Sequence, residues 1–368
     1  MHILTRIFNK VLHYINLFIG KIYDILQQKN IIGQFPFKIV SNFGNVIRIE
    51  HPYPANFNIS DKDLFNEWKR YDTFSHDLYS VQNVRVTHEG IVLKKYFTFI
   101  KALPHPIFRN QFGVLYNLYT YIFYKKVNTK AKKYVLLYDH WSKNNYFHWT
   151  VDSLCRLYLF KHHLNFEYTL LLPENCPSYI LNTLEKFDVE NIEFIPLKSF
   201  LQIEDLYVMN YAAWSGQQHP DVIKKLRNHL MSQTIHDKMA IKMRIYVSRG
   251  KQKSRRIINE AEVITLLQKY KFSIVYFEEL NFDQQISMMQ QTEYLITSHG
   301  ANMTNILFLP DHAKILELLN NEKPNFCFWS LASCLGLNYN YKLCGIEKSN
   351  HIHVDIKELE RTLIPLLS

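Results

Sequence analysis

The chain has 368 residues, of which 47% are hydrophobic and 21% charged, and its formal net charge is +10. That balance excludes a disordered or fibrous chain and gives room for two domains of ordinary size. The positive excess calls for an anionic partner, and the absence of any long basic stripe or known nucleic-acid motif points to a phosphorylated small molecule or a phospholipid surface rather than nucleic acid. Five cysteines (Cys155, Cys176, Cys327, Cys334 and Cys344) are odd in number and form no CxxC pair. Neither a zinc site nor a disulfide framework is therefore expected, and a reducing compartment is.

Residues 1–30 open the chain with Ile3, Leu4, Ile7, Phe8, Val11, Leu12, Ile15, Phe18 and Ile19 at near-helical spacing, interrupted by Arg6, Lys10 and Lys21. The apolar run is too short to span a bilayer and carries no small-residue cleavage site. It reads as an amphipathic helix, either on an anionic membrane surface or packed on the protein. Strand-like pieces follow at 37–40, 81–86 and 91–97, with a helix at 61–71. From residue 132 the rhythm becomes regular: strand 134–138, helix 147–160, strand 168–172, helix 178–187, strand 192–195. This βαβαβ run is the mark of a parallel sheet.

The rhythm restarts after strand 206–209 and helix 220–231. Strands at 244–247, 273–277, 294–297 and 314–318 alternate with helices at 259–270, 282–290, from 302 and at 326–335, and a last helix covers 356–366. The expected architecture is α/β, with two Rossmann-like halves and a ligand crevice between them at the carboxyl ends of the strands. The boundaries are an N-terminal helix at 1–30, a first domain at 31–211, a connection at 212–240, a second domain at 241–345, and a terminal segment at 346–368 able to cross back to the first domain.

Four segments carry chemistry. The apolar strand ending at Thr297 runs into Ser298-His299-Gly300-Ala301 and then Thr304-Asn305. A strand–turn–helix junction offers free N–H groups and a positive helix end to a pyrophosphate; an ordinary turn with a solvent-facing histidine is the alternative. Directly after strand 244–247 comes the basic run Ser248 to Arg256, in which Arg249, Arg255 and Arg256 have the planar fork that suits phosphate oxygens. Glu317, a lone carboxylate in an apolar strand, can hold ribose hydroxyls or pair with a structural arginine. In the first half, His148 and Asp152 are four apart, so that a carboxylate-held imidazole can act as general base; Asp152 alone is the other option. Asn145, Trp149, Arg156, Glu278 and Gln285 complete the expected crevice lining. Asp61-Lys62-Asp63 imitates a metal-binding DxD, but its place before a helical run makes it a helix start.

Taken together, Asn145 to Trp149 with Asp152 and Arg156, Ser248-Arg249 with Ser254 to Glu260, Phe282 to Gln285, His299 to Asn305, and Glu317 resemble glycosyltransferase family 61, over roughly residues 130–320. The resemblance implies a GT-B-like fold and an inverting, metal-independent transfer from a nucleotide sugar, expected to be UDP-linked. That donor is a co-substrate, and no cofactor or metal is expected. Asn302 departs from the family's usual small residue, Gln284 from its glutamate and Cys155 from its proline. The expected role is transfer to a glycan or lipid-linked glycan acceptor in bacterial capsule or lipopolysaccharide synthesis, in the cytoplasm or peripherally on the inner face of the plasma membrane. The rival is a non-catalytic, two-lobed protein that binds a glycan or nucleotide sugar.

Overall fold

The computed structural model describes Tyr14, Phe18 and residues 36–368, apart from 96, 106, 107, 109, 110, 165, 234–241 and 348–350. Apart from Tyr14 and Phe18, the amphipathic helix expected at 1–30 lies outside the described residues, as does part of the connection at 212–240. In chain order the elements begin with β1 (Lys38–Phe43), β2 (Arg48–Glu50), α1 (Lys62–Lys69), β3 (Arg70–Asp72), β4 (His76–Thr87), β5 (Val92–Lys94), β6 (Phe97–Thr98), α2 (Val114–Phe123) and β7 (Lys125–Val127). They continue with β8 (Lys133–Leu136), α3 (Leu154–His163), β9 (Thr169–Pro173), α4 (Ser178–Glu185), β10 (Ile192–Ile195), β11 (Ser199–Met209) and α5 (Pro220–Ser232). The rest are β12 (Met243–Val247), α6 (Glu260–Lys269), β13 (Ser273–Val275), α7 (Phe282–Gln290), β14 (Thr292–Ser298), β15 (Lys314–Asn320), α8 (Cys327–Leu335), β16 (Asn338–Glu347), β17 (His351–His353) and α9 (Ile356–Leu367).

The fold is α/β, and the chain divides into two units. The first takes the described residues of Met1–Val46 and Phe74–Ser215; the second takes Ile47–Thr73 and Gly216–Ser368. In the first unit the strand order is β10-β9-β8-β11-β4-β5-β6. β8, β9, β10 and β11 pair in parallel, while β4 joins β11 antiparallel along nearly its whole length. Runs such as Leu170-Leu171-Leu172 are completely buried, as strands covered on both faces must be. Because β9 and β10 step to one side of β8 and β11 lies on the other, the order reverses between the carboxyl ends of β8 and β11.

The second unit has the order β13-β12-β14-β15-β16-β17, parallel except for the edge strand β17. Its reversal falls between β12 and β14. Ile296, Leu316 and Leu318 form the core with Val263 and Leu267 of α6.

Two boundaries differ from the sequence reading. Residues 47–73 belong with the second unit, because the ring of Phe65 on α1 is buried against Phe326 and Trp329, 4.2 and 4.8 Å away. The terminal helix α9 also stays there: Leu359, Leu363 and Leu366 pack into the core beside α6, and Asn259 clamps the backbone of Val354 through both its side-chain nitrogen and oxygen. Burying each such leucine stabilises by roughly 1.5–3 kcal/mol, which holds the tail where its apolar stripe is covered.

Candidate functional site

Each unit gathers polar residues at its strand-order reversal. In the first, the chain leaves β8 and turns at Asp139, which is completely buried. Its Oδ1 accepts from the backbone N–H of Trp141 (2.7 Å) and Ser142 (3.1 Å), and its Oδ2 from the hydroxyl of Tyr211 (2.5 Å), which follows β11. Burial opposes the charge on Asp139, but the Arg156 guanidinium and these donors outweigh it and hold the carboxyl below the ordinary aspartate value. Arg156 lies 4.1 Å over the Tyr211 ring and donates to the carbonyl of Leu137.

After this turn the helix expected at 147–160 starts at Tyr146, but it is interrupted by a π-helical turn, His148–Ser153, before it continues as α3. Asn145 caps it, its side-chain oxygen accepting from the N–H of Phe147 and His148. Trp149 to Ser153 are all buried, and five consecutive buried side chains leave no solvent face for an ordinary surface helix. The expected pair forms nonetheless. His148 Nδ1 lies 3.0 Å from Asp152 Oδ2 and 2.8 Å from Ser215 Oγ, while Ser215 donates to the same Asp152 oxygen at 2.5 Å. The Trp141 ring stacks on the imidazole at 4.7 Å. With Nδ1 directed at the carboxylate, Nε2 is the nitrogen left to exchange a proton.

In the second unit, β12 leads into Ser248 and Arg249, and β14 into His299 and Gly300. Ser248 and Tyr246 both donate to Glu260 Oε1 at 2.7 Å, which fixes the start of the basic loop. Arg249 is only 6% exposed. No carboxylate among the described residues lies within ion-pair distance of it, and its buried Nε has no partner. Burial and the nearby Arg255 lower its pKa to about 10, so it remains a cation at neutral pH. It lies directly against Gly300, where a Cβ would run into the guanidinium. Gly300 is therefore required by close approach and not by its backbone angles, which are extended. The 3₁₀-helix Ala301–Phe308 starts at this point, and its first-turn N–H groups lack partners within the helix. Asn302 Nδ2 and Thr304 Oγ1 are buried there without partners as well.

Glu317 does not stand open to a ribose. It is fully buried, with Oε1 at 2.6 Å from His299 Nδ1 and Oε2 accepting from Tyr339 at 2.5 Å. It orients the histidine, leaving Nε2 of His299 as the outward nitrogen.

The other expected lining residues divide in the same way. Trp149 is buried and donates to Thr183, Asn145 is a cap, and Arg156 is buried behind the Asp139 turn, so these three are structural. Asn305, completely buried, donates to Gln285, which ties down the carbonyls of Phe277 and Leu280. Arg255, Arg256 and Glu278 are exposed, and Gln252 donates to Glu278 at 3.1 Å. Ser298 is buried at the end of β14 and Ala301 is partly exposed. Asp61 and Asp63 are not side-chain caps: Asp61 accepts from Tyr341 and Asp63 from Asn66.

Sequence reasoning missed Asp139, Tyr211, Ser215 and Trp141 in the first unit and Tyr339 in the second, and named Asn302 only as a departure at the phosphate turn. For the first-unit residues the only available signal was a place after a strand end, and Tyr339, near the start of β16, offered none.

The family model described as Glycosyltransferase 61 matches residues 146–316, a range that includes His148, Asp152, Ser215, Arg249 and the turn at Gly300 and leaves out Asp139, Trp141, Ser142, Asn145, Glu317 and Tyr339. EGF domain-specific O-linked N-acetylglucosamine transferases are similar to part of the chain: that of Drosophila melanogaster is 42% identical over 102 residues, 27% of this chain and 19% of the relative. That of Pan troglodytes is 29% identical over 133 residues, 34% and 25% of the two chains. The Xenopus laevis protein is 30% identical over 116 residues, 30% and 22%. The chain thus spans about a fifth to a quarter of the length of these relatives. The matches support glycosyltransferase family 61, and with it a glycosyltransferase.

Proposed function

We propose that the chain transfers a sugar, with inversion and without a bound metal, from a nucleotide sugar to an acceptor hydroxyl. The observation that carries this reading is Arg249. A buried guanidinium without a carboxylate costs several kcal/mol unless an anion completes it, and it lies against a helix start with two further unpartnered polar side chains. A diphosphate supplies what all of these lack. In this reading Arg249, the turn at Gly300 and the first-turn amides hold the leaving diphosphate. Arg255 and Arg256 add positive charge, and His299, oriented by Glu317, donates to phosphate or bonds a ribose hydroxyl.

His148 is the base. Asp152 and Ser215 engage its Nδ1, so Nε2 takes the proton as the acceptor oxygen attacks the anomeric carbon. The bond from that carbon to the phosphate oxygen breaks, and its electrons leave with the diphosphate, whose charge Arg249 meets.

The acceptor class we favour is a glycan of a surface polysaccharide, reached from the cytoplasmic side of a membrane. The names of the similar animal proteins favour a second reading, in which the acceptor is a protein hydroxyl. Offering one donor with glycan and with EGF-like acceptors separates the two.

The test of the whole reading is a thermal-shift screen of nucleotide sugars and free nucleotides, with and without EDTA, followed by transfer assays. A ligand at a hundred times its Kd stabilises by about 2.7 kcal/mol, and the shift is expected to survive EDTA and to vanish in Arg249→Met. Stabilisation lost with EDTA overturns metal independence. Tight binding with no turnover on any acceptor favours a binding protein.

A further inference from the structure

Helix α2 is inside out. Its polar residues Asn117 and Thr120 are buried, with Arg85 donating to Asn117, while Leu118, Tyr119, Tyr121, Ile122 and Phe123 are 45–70% exposed. A surface helix of a soluble domain shows the opposite arrangement. The helix packs on β6, two residues before the exposed Ile100, and leads directly into the exposed Lys125 and Lys126.

The surrounding sequence has one sign of charge. Residues 90–138 contain nine lysines and arginines and no aspartate or glutamate. The carboxylate that bounds this stretch, Glu89, is occupied by the hydroxyls of Tyr116 and Tyr124 at 2.9 and 2.8 Å. An apolar, tyrosine-rich face in a stretch of chain that carries cations and whose one neighbouring carboxylate, Glu89, is held by tyrosine hydroxyls is complementary to the headgroup region of an anionic bilayer: aromatic rings and aliphatic chains enter the acyl boundary, and lysines stay at the phosphates. A second copy of this chain would bring the same cations against one another.

We propose that the exposed face of α2, with Lys125 and Lys126, is a membrane-docking surface for anionic lipid. At ten residues α2 is too short to cross a bilayer, and no helix among the described residues is long and apolar enough to do so. It therefore lies in the interface. This surface is separate from the residues expected at 1–30, and the inference does not rest on the proposed reaction: sugar transfer stands or falls by its own assays.

The experiment is co-sedimentation of the full chain with vesicles of phosphatidylcholine alone and of phosphatidylcholine with 30% phosphatidylglycerol. Binding is expected only to the anionic vesicles, weakening as salt rises. It should fall more than tenfold in Leu118→Ser/Ile122→Ser/Phe123→Ser, and about fivefold for each of Lys125→Gln and Lys126→Gln. Because these side chains are exposed, the thermal midpoint should hold. Ile122→Trp gives a second readout, a blue-shifted increment of emission over the parent chain that brominated lipids quench. The proposal is overturned in any of three ways. The first is equal binding by parent and triple variant with no quenching, which leaves residues 1–30 as the sole contact. The second is no binding to either vesicle. The third is a parent dimer that the triple variant dissociates while vesicles go unbound.

Discussion

The two strand-order reversals are built from similar materials and differ in how their charged groups are held. In the first unit, carboxylates, hydroxyls and an imidazole satisfy one another: Asp152 is held by Ser215 and His148, and Asp139 by Tyr211, two backbone amides and Arg156. His148 Nε2 is left over beside these held carboxylates, and in the same turns both ring nitrogens of His140 and the hydroxyl of Thr150 are buried without partners. In the second, the Nε of the buried Arg249, the amide nitrogen of Asn302 and the hydroxyl of Thr304 remain without partners, and the guanidinium has only a long 3.4 Å bond to the carbonyl of Ser254 and no carboxylate. A closed hydrogen-bond network fixes the geometry of a proton acceptor, whereas an open cationic one waits for an anion. The contrast assigns proton handling to one unit and diphosphate holding to the other, and each assignment can be broken separately.

The largest effect is expected from Arg249→Met. Transfer efficiency should fall about 10³-fold, which is about 4 kcal/mol of lost transition-state stabilisation, while the thermal midpoint stays level or rises because a buried unpaired charge is gone. Calorimetry alongside kinetics checks this. A midpoint lower by several degrees would show that the second network is closed after all.

Next comes Asp139→Asn, which removes a buried charge from beneath Arg156 and should cost about 3 kcal/mol of stability at neutral pH. Asp139 titrates below its unfolded value of about 4. Its contribution is therefore complete above that pH and is lost as pH falls through the lower folded value. Melting curves of parent and variant should converge in acid, and a gap that does not narrow as pH falls below about 4 would mean that the charge is not what matters.

Asp152→Asn should lower kcat about a hundredfold with donor binding intact. Donor affinity that falls in step with kcat would put Asp152 in the binding machinery and blur the contrast. Gly300→Ala sharpens it from the other side. Displacing the Arg249 guanidinium should weaken nucleotide binding about tenfold, read by titration calorimetry, with kcat at saturation little changed.

Much of this was legible because the core strands are continuous apolar runs. Leu170-Leu171-Leu172 and Leu295-Ile296 announce buried parallel strands, and the turns that follow them announce ligand loops. Ser248 to Arg256 and Ser298 to Asn305 were readable as chain-local patterns. What escaped was long in sequence and short in space. Ser215 meets Asp152 from 63 residues away, with nothing in Trp214-Ser215-Gly216 to announce it. Glu317 looked open to a sugar because Tyr339, which closes it, sits on β16, a strand that the reading did not find: Asn-Tyr-Asn-Tyr has the alternation but not the apolar content of its neighbours. Helix α2 escaped because its apolar residues surround it, so there is no stripe for a period to reveal.

The π-helical turn at His148–Ser153 has one more consequence. Its signature is the bond from the N–H of Leu154 to the carbonyl of Trp149, five residues back. Such a turn accommodates one residue beyond the ordinary helical count. Excising Thr150 or Val151 would let the segment relax into a regular α-helix at little cost in backbone hydrogen bonds. It would also rotate everything upstream by about 100°, swinging the imidazole away from its carboxylate. The segment is thus indel-intolerant at a place where a helix would normally absorb a change of length. In descendants of this sequence, substitutions should accumulate here while the spacing between the histidine and the aspartate stays frozen.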